Sequence, residues 1–237
     1  PGERIAVRKK LWNDRRKKLV ANLIVIMGDS GAGKTYSIKS LDPAQVSVIS
    51  CKKNRLPFAG NYTVRKVVDT VDQNGQPVFA YDQIKTLLRS SQKKIFVIDD
   101  STFLLKNEQQ RNTGLKIKND KVNGFMQYEV LSFHFKDLID FILDELPEDI
   151  FVILMHHITK DETGKVKTEV VGKSLDSLIE KSCDVVLLAE VENGEHYFLT
   201  ESCSYATTKS PEGMFPPRIA NSLKTVIEGY KKYYGME

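Results

Sequence analysis

Five short runs of almost continuous apolar residues punctuate the chain: NLIVIM at 22–27, VSVIS at 46–50, KIFVID at 94–99, IFVILMH at 150–156 and DVVLLAEV at 184–191. Runs of this length without polar alternation predict strands covered on both faces, as in a mainly parallel sheet flanked by helices. Stretches with helical spacing lie between them. Residues 33–41 follow a glycine-rich turn, and 81–91 carry Ile84, Leu87 and Leu88 on one side. Residues 126–145 place Phe133, Leu138, Phe141, Ile142 and Leu146 at helical intervals before Pro147 stops them.

A short helix is expected at 174–182 with Ser174 as its cap, and a final one at 219–234. EVENGEHYFL reads as a hairpin turning on Asn193-Gly194, a pair suited to the positive φ angles of a two-residue turn. Strands alternating with helices predict an α/β fold. Two segments fit neither pattern. KNEQQRNTGLKIKNDKVNG at 106–124 is polar, basic and interrupted by glycine, and reads as a loop; 158–173 reads as a hairpin or an exposed loop.

Composition changes this picture little. With 237 residues, 41% of them hydrophobic, the chain suits one domain with a large core. No apolar run approaches the roughly 20 residues of a membrane span, so no membrane partner is expected. No apolar leader precedes the first strand, and Cys51, Cys183 and Cys203 form no CxxC pair, which together point to a reducing, cytoplasmic setting. Charge is more informative. The net charge is only +4, yet Arg4, Arg8, Lys9, Lys10, Arg15, Arg16, Lys17 and Lys18 crowd residues 4–19 against a single acid, Asp14. The chain therefore divides into a basic arm at 1–20 and a domain at 21–237. Such an arm suits nucleic-acid phosphates and equally a solvated helix face.

The chemistry is concentrated after the first strand. GDSGAGKT matches G-x-x-x-x-G-K-[ST] at Gly28, Gly33, Lys34 and Thr35. Glycines let successive N–H groups turn inward onto anionic oxygens, Lys34 supplies a full charge to β- and γ-phosphates, and the Thr35 hydroxyl suits Mg²⁺. The candidate nucleotide contacts are Gly28, Asp29, Ser30, Gly31, Ala32, Gly33, Lys34, Thr35 and Tyr36. The strand KKIFVIDD ends in Asp99, a second candidate for holding Mg²⁺, and Asp100 is the candidate to orient or deprotonate an attacking water; a cap on the next segment is its other reading. In FVILMHH, His156 is the candidate to touch the terminal phosphate or the water. Strand alternation then turns His157 the other way.

Taken in order, GDSGAGKT, LDPAQVSVIS…NRLPF, KKIFVIDD, ILMHH and ATTKSPEGMFP resemble RecA-like P-loop ATPases, and most closely small phage-encoded ATPases of the AAA-domain type, including Sak-type single-strand annealing ATPases. The resemblance spans roughly residues 22–224. It implies a RecA-like P-loop core, ATP and Mg²⁺ as ligands, and side-by-side homo-oligomers with ATP near the joint. It also implies single-stranded DNA as partner, bound through the loops after the Asp strand and the next strand. Carried onto this chain, the first loop holds Lys106, Arg111, Lys116, Lys118 and Lys121, and Lys209 is the first candidate for contacting a neighbour's nucleotide, with Arg218 second. The chain departs from the recombinase pattern in one respect: VSVISCKKNRLPF carries no acid where those enzymes place a catalytic Glu. A nucleotide-dependent assembly factor with little turnover is therefore a second reading, and a P-loop kinase a third, although the arginines after residue 89 are too few for a lid.

Overall fold

Twelve strands and five α-helices follow one another in the computed structural model, which describes residues 21–236 apart from 53–54, 119–125, 173–174 and 176–177. The strands are β1 (Asn22–Met27), β2 (Val46–Ser50), β3 (Thr63–Lys66), β4 (Thr70–Val71), β5 (Pro77–Val78), β6 (Ile95–Asp99), β7 (Phe151–His156), β8 (Ile158–Lys160), β9 (Val166–Thr168), β10 (Val185–Glu192), β11 (Glu195–Leu199) and β12 (Arg218–Ala220). The helices are α1 (Ala80–Ser90), α2 (Thr102–Lys118), α3 (Met126–Glu145), α4 (Leu178–Ser182) and α5 (Leu223–Tyr234). The basic arm at 1–20, Ser174 and Lys121 lie outside the described residues. Among those described, no helix is long and apolar enough to cross a membrane.

Eight strands form one sheet in the order β12-β11-β10-β1-β7-β6-β2-β3, parallel from β10 to β3, with β11 and β12 antiparallel at one edge. The predicted mainly parallel α/β architecture is the one observed. All five apolar runs sit in the central strands because both of their faces are covered. Leu23, Val25 and Met27 join Ile98 and Leu154 beneath α1, α2, α3 and α4. Ile24 and Ile26 join Val48, Val97 and Ile153 on the opposite face, closed by Leu223, Val226, Ile227 and Tyr230 of α5. The hairpin turns at Asn193 and Gly194, both with positive φ, as expected.

The structure differs from the sequence pattern in four places. Residues 106–118 belong to α2 rather than to a loop. Leu104 and Leu105 anchor its first turn in the core, and Lys106 and Arg111 find acidic partners on other elements. The helix expected at 33–41 is a six-residue 3₁₀ segment, Thr35–Ser40. There Ser37 and Ser40 hydroxyls donate back to the Lys34 and Ser37 carbonyls at 2.5 and 2.7 Å, and Pro43 follows shortly after. The buried stripe of α3 is Leu131, Phe135, Leu138, Ile139 and Ile142, whereas Phe133 is 66% exposed on the opposite side. The final helix begins at Leu223 because 218–220 pair with β11 instead.

One charge cluster joins α2 to α3. His134 Nδ1 lies 2.6 Å from the buried Glu108 carboxylate, which Arg111 also approaches at 3.3 Å while pairing with Asp69. The hydrogen bond that His134 donates to Glu108 raises its pKa above 6.5, against the effects of burial and of Arg111. A raised pKa contributes stability that is fully present below about pH 6.5 and is lost as pH rises through the folded value. The melting-temperature gap between the native chain and His134→Gln is therefore expected to be wider at about pH 6 than at about pH 8.5. A gap independent of pH would show that the pair carries no linked proton.

Candidate nucleotide-binding site

A cleft of about 440 Å³ opens at the carboxyl ends of the parallel strands. The sheet order explains its position. β1 delivers residues 28–34, β6 ends in Asp99, and β7 runs between them, so their ends converge on one rim. Asp29, Ser30, Gly31, Gly33, Lys34, Thr35 and Tyr36 form one wall; Lys52, Pro57, Asp100, Phe103, His157 and His196 form the rest.

The loop conformation depends on glycine at two points. Gly31 and Gly33 have φ of +85° and +95°, and a Cβ on Gly33 would come within 2.7 Å of His196 Nδ1 and 2.9 Å of Asn221 Nδ2. His196 also lies 3.1 Å from the Ala32 carbonyl, so β11 braces the loop from outside.

Lys34 is buried, and its ammonium donates to the carbonyls of Gly28 at 2.6 Å and Asp29 at 2.8 Å. Burial lowers its pKa, with Asp100 as the largest opposing influence. An ammonium has three donors, so one remains for an anion. Thr35 Oγ1 donates to Asp99 Oδ1 at 2.9 Å. Burial raises the Asp99 pKa, opposed chiefly by Lys52, whose Nζ is 3.7 Å from the same oxygen, and by the Thr35 hydrogen bond. A hydroxyl and a carboxylate side by side, with a buried ammonium on a glycine-rich loop, are the hard oxygen ligands and cation that a Mg²⁺-bound polyphosphate requires. The residues present fit that group. Because the following helix is a short 3₁₀ segment, an anion here would be held by the loop amides and Lys34 more than by a helix dipole.

The two histidines exchange their expected places. His156 is fully buried on the face covered by α3, its Nδ1 2.8 Å from the Ser101 hydroxyl and its Nε2 2.6 Å from the Glu169 carbonyl. A carbonyl only accepts, so Nε2 carries the proton, and burial lowers the pKa and keeps the ring neutral. His156 thus has no exposed atom to offer a phosphate. His157 lies just past the end of β7 and lines the cleft instead, its Nε2 2.6 Å from Asp100 Oδ2. Asp100 is buried and also accepts from the Thr102 amide at 3.2 Å, so it combines the capping reading with a position on the cleft wall.

The remaining candidates lie elsewhere. Lys209 is exposed; its backbone pairs with Val186 and its ammonium donates to the Glu180 carbonyl at 3.1 Å, away from the cleft of its own chain. Arg218 pairs with Glu192 and packs over the Tyr197 ring. Lys106 is 2.9 Å from Glu169, and Arg111 is engaged by Asp69 and Glu108; Lys116 and Lys118 are on α2. The segment after β7 folds as the β8–β9 hairpin. Sequence reasoning missed Lys52, His157, Phe103 and His196 in the cleft. Lys52 had a signal, since it closely follows a strand that ends at the same rim as Asp99.

Residues 21–212 match the family described as AAA domain. No curated protein matches the sequence. Among solved structures, the chain is similar to an ATPase of the type III secretion system of pathogenic bacteria, with 15% identity and a TM-score of 0.46, covering 71% of this chain and 51% of that one. It thus spans about half the length of that protein. It is also similar to a KaiC-like protein from the hyperthermophilic archaeon Pyrococcus horikoshii OT3, with 11% identity and a TM-score of 0.46, covering 81% and 84%.

Proposed function

The chain belongs to the AAA-domain family, and on that premise we propose that it is a Mg²⁺-dependent ATPase coupled to single-stranded DNA. The observation that supports the ATPase reading is the convergence of Lys34 with the Thr35–Asp99 pair in one cleft. Loop amides and Lys34 bind the β- and γ-phosphates. Thr35 and Asp99 would hold Mg²⁺, whose chemistry when bound would be to offset charge on the transferring phosphoryl group. Asp100 holds His157 at the cleft wall, and this pair orients the attacking water and takes its proton.

DNA coupling is supported by the basic composition of residues 106–121 and of the arm at 1–20. Lys209 and Arg218, which lie outside their own cleft, are proposed to reach the nucleotide of a neighbouring copy. A nucleotide-dependent assembly factor with little turnover is the second reading. It is favoured by a lysine, Lys52, in the segment after β2 where a catalytic acid was expected.

Phosphate release measured with and without a single-stranded oligonucleotide separates the readings. DNA coupling predicts turnover that rises on adding the oligonucleotide and falls as salt weakens binding. Low turnover unchanged by DNA, with intact nucleotide binding, would support the assembly reading instead.

A further inference from the structure

Lys52 is fixed where it stands. Ser50 Oγ donates to the Lys52 carbonyl at 2.9 Å, and the Cys51 amide donates to the Asp99 carbonyl at 2.8 Å, so the chain leaving β2 stays beside the end of β6. The register pairs Ser50 with Asp99. From this anchor the side chain, 22% exposed, reaches into the cleft until Nζ is 3.7 Å from Asp99 Oδ1, the oxygen that Thr35 also contacts.

We propose that Lys52 is a second phosphate-binding lysine, which neutralises Asp99 before nucleotide binds and moves to the terminal phosphate of a nucleoside triphosphate when Mg²⁺ and nucleotide enter. The assignment rests on the nucleotide-binding reading above. An isolated buried carboxylate is costly, so Asp99 needs a counter-cation until the metal arrives, and Lys52 is paired with it. Once Mg²⁺ serves Asp99 and Thr35, that need is met and the lysine is released. The released ammonium is then close to the most negative group nearby. Thr35 and Asp99 would hold the metal that accompanies a triphosphate, and Lys52, beside the same Asp99 oxygen, would then be free to pair with the terminal phosphate. Lys34 lines the same cleft, so two ammonium groups face one space. A diphosphate lacks the terminal group with which Lys52 would pair.

Lys52 therefore confers preference for triphosphate over diphosphate. The test is the affinity of the purified chain for fluorescent methylanthraniloyl ATP and ADP with Mg²⁺, for the native protein, Lys52→Met and Lys52→Arg. Loss of one charge-assisted contact predicts about a tenfold weaker triphosphate affinity in Lys52→Met. The diphosphate affinity should change less than about twofold, and Lys52→Arg should retain most of the discrimination because the charge is kept. Lys52→Gln serves in place of Lys52→Met should the latter not fold, as judged by its melting curve. Equal loss for both nucleotides, or no loss for either, overturns the assignment while leaving the nucleotide site intact. A native chain that binds neither nucleotide overturns the nucleotide-binding reading together with it.

Discussion

Lys34→Ala is expected to lower ATP turnover by about 10²- to 10³-fold, the scale found when one preorganised donor to developing charge is removed. The residue supplies the only full positive charge carried by the loop between Gly28 and Thr35. Its ammonium is desolvated, so its attraction for phosphate is less screened than that of a surface lysine. Its hydrogen bonds go to carbonyls of the same loop, so the loss of packing is expected to be confined to that loop. Phosphate release and melting temperature measured on one preparation make the case: turnover lost with the melting curve retained assigns Lys34 to the chemistry. Retained turnover would place hydrolysis elsewhere in the chain.

The second large effect is on stability. His156→Leu is expected to cost about 2–4 kcal/mol, because it strands the Glu169 carbonyl and removes a partner of Ser101 inside the core. For a chain of this length that corresponds to a fall in melting temperature of roughly 5–15 °C. His157→Leu, by contrast, removes a cleft-wall group whose partner Asp100 also accepts from the Thr102 amide. It should change turnover more than melting. Thermal unfolding and phosphate release on the two variants distinguish a structural histidine from a functional one. If His156→Leu melted normally and lost activity, the two roles would be reversed.

These adjacent histidines show how far the sequence could be read. Alternation correctly implied that they face opposite ways. It did not indicate which one meets the cleft, because that depends on where β7 ends and which helices cover each face. The central strands were legible for a simple reason: a strand covered on both sides is mostly apolar, with few polar residues. The glycine-rich loop and Asp99, which the structure brings together, stood out because the chemistry read into them restricts residue type at fixed spacing. By contrast, α2 beyond Leu105 was hidden, since its support comes from Glu169 and Asp69, 63 and 42 residues distant in sequence. The edge strand β3 was hidden because all four of its residues are exposed, leaving no apolar signature.

The sheet order also bears on how the protein is made. Asn22 of β1 pairs in register with Phe151, and Ile24 pairs with Val185. Both neighbours that confine the phosphate loop's strand are thus translated long after it. At about 5–20 residues per second, an emerging β1 waits on the order of ten seconds for β7. Throughout that interval a strand with five consecutive apolar residues has no lateral partner, which is the condition under which nascent chains recruit chaperones or pair wrongly. The strand that leads into the glycine-rich loop is therefore also a segment exposed to misassembly during synthesis.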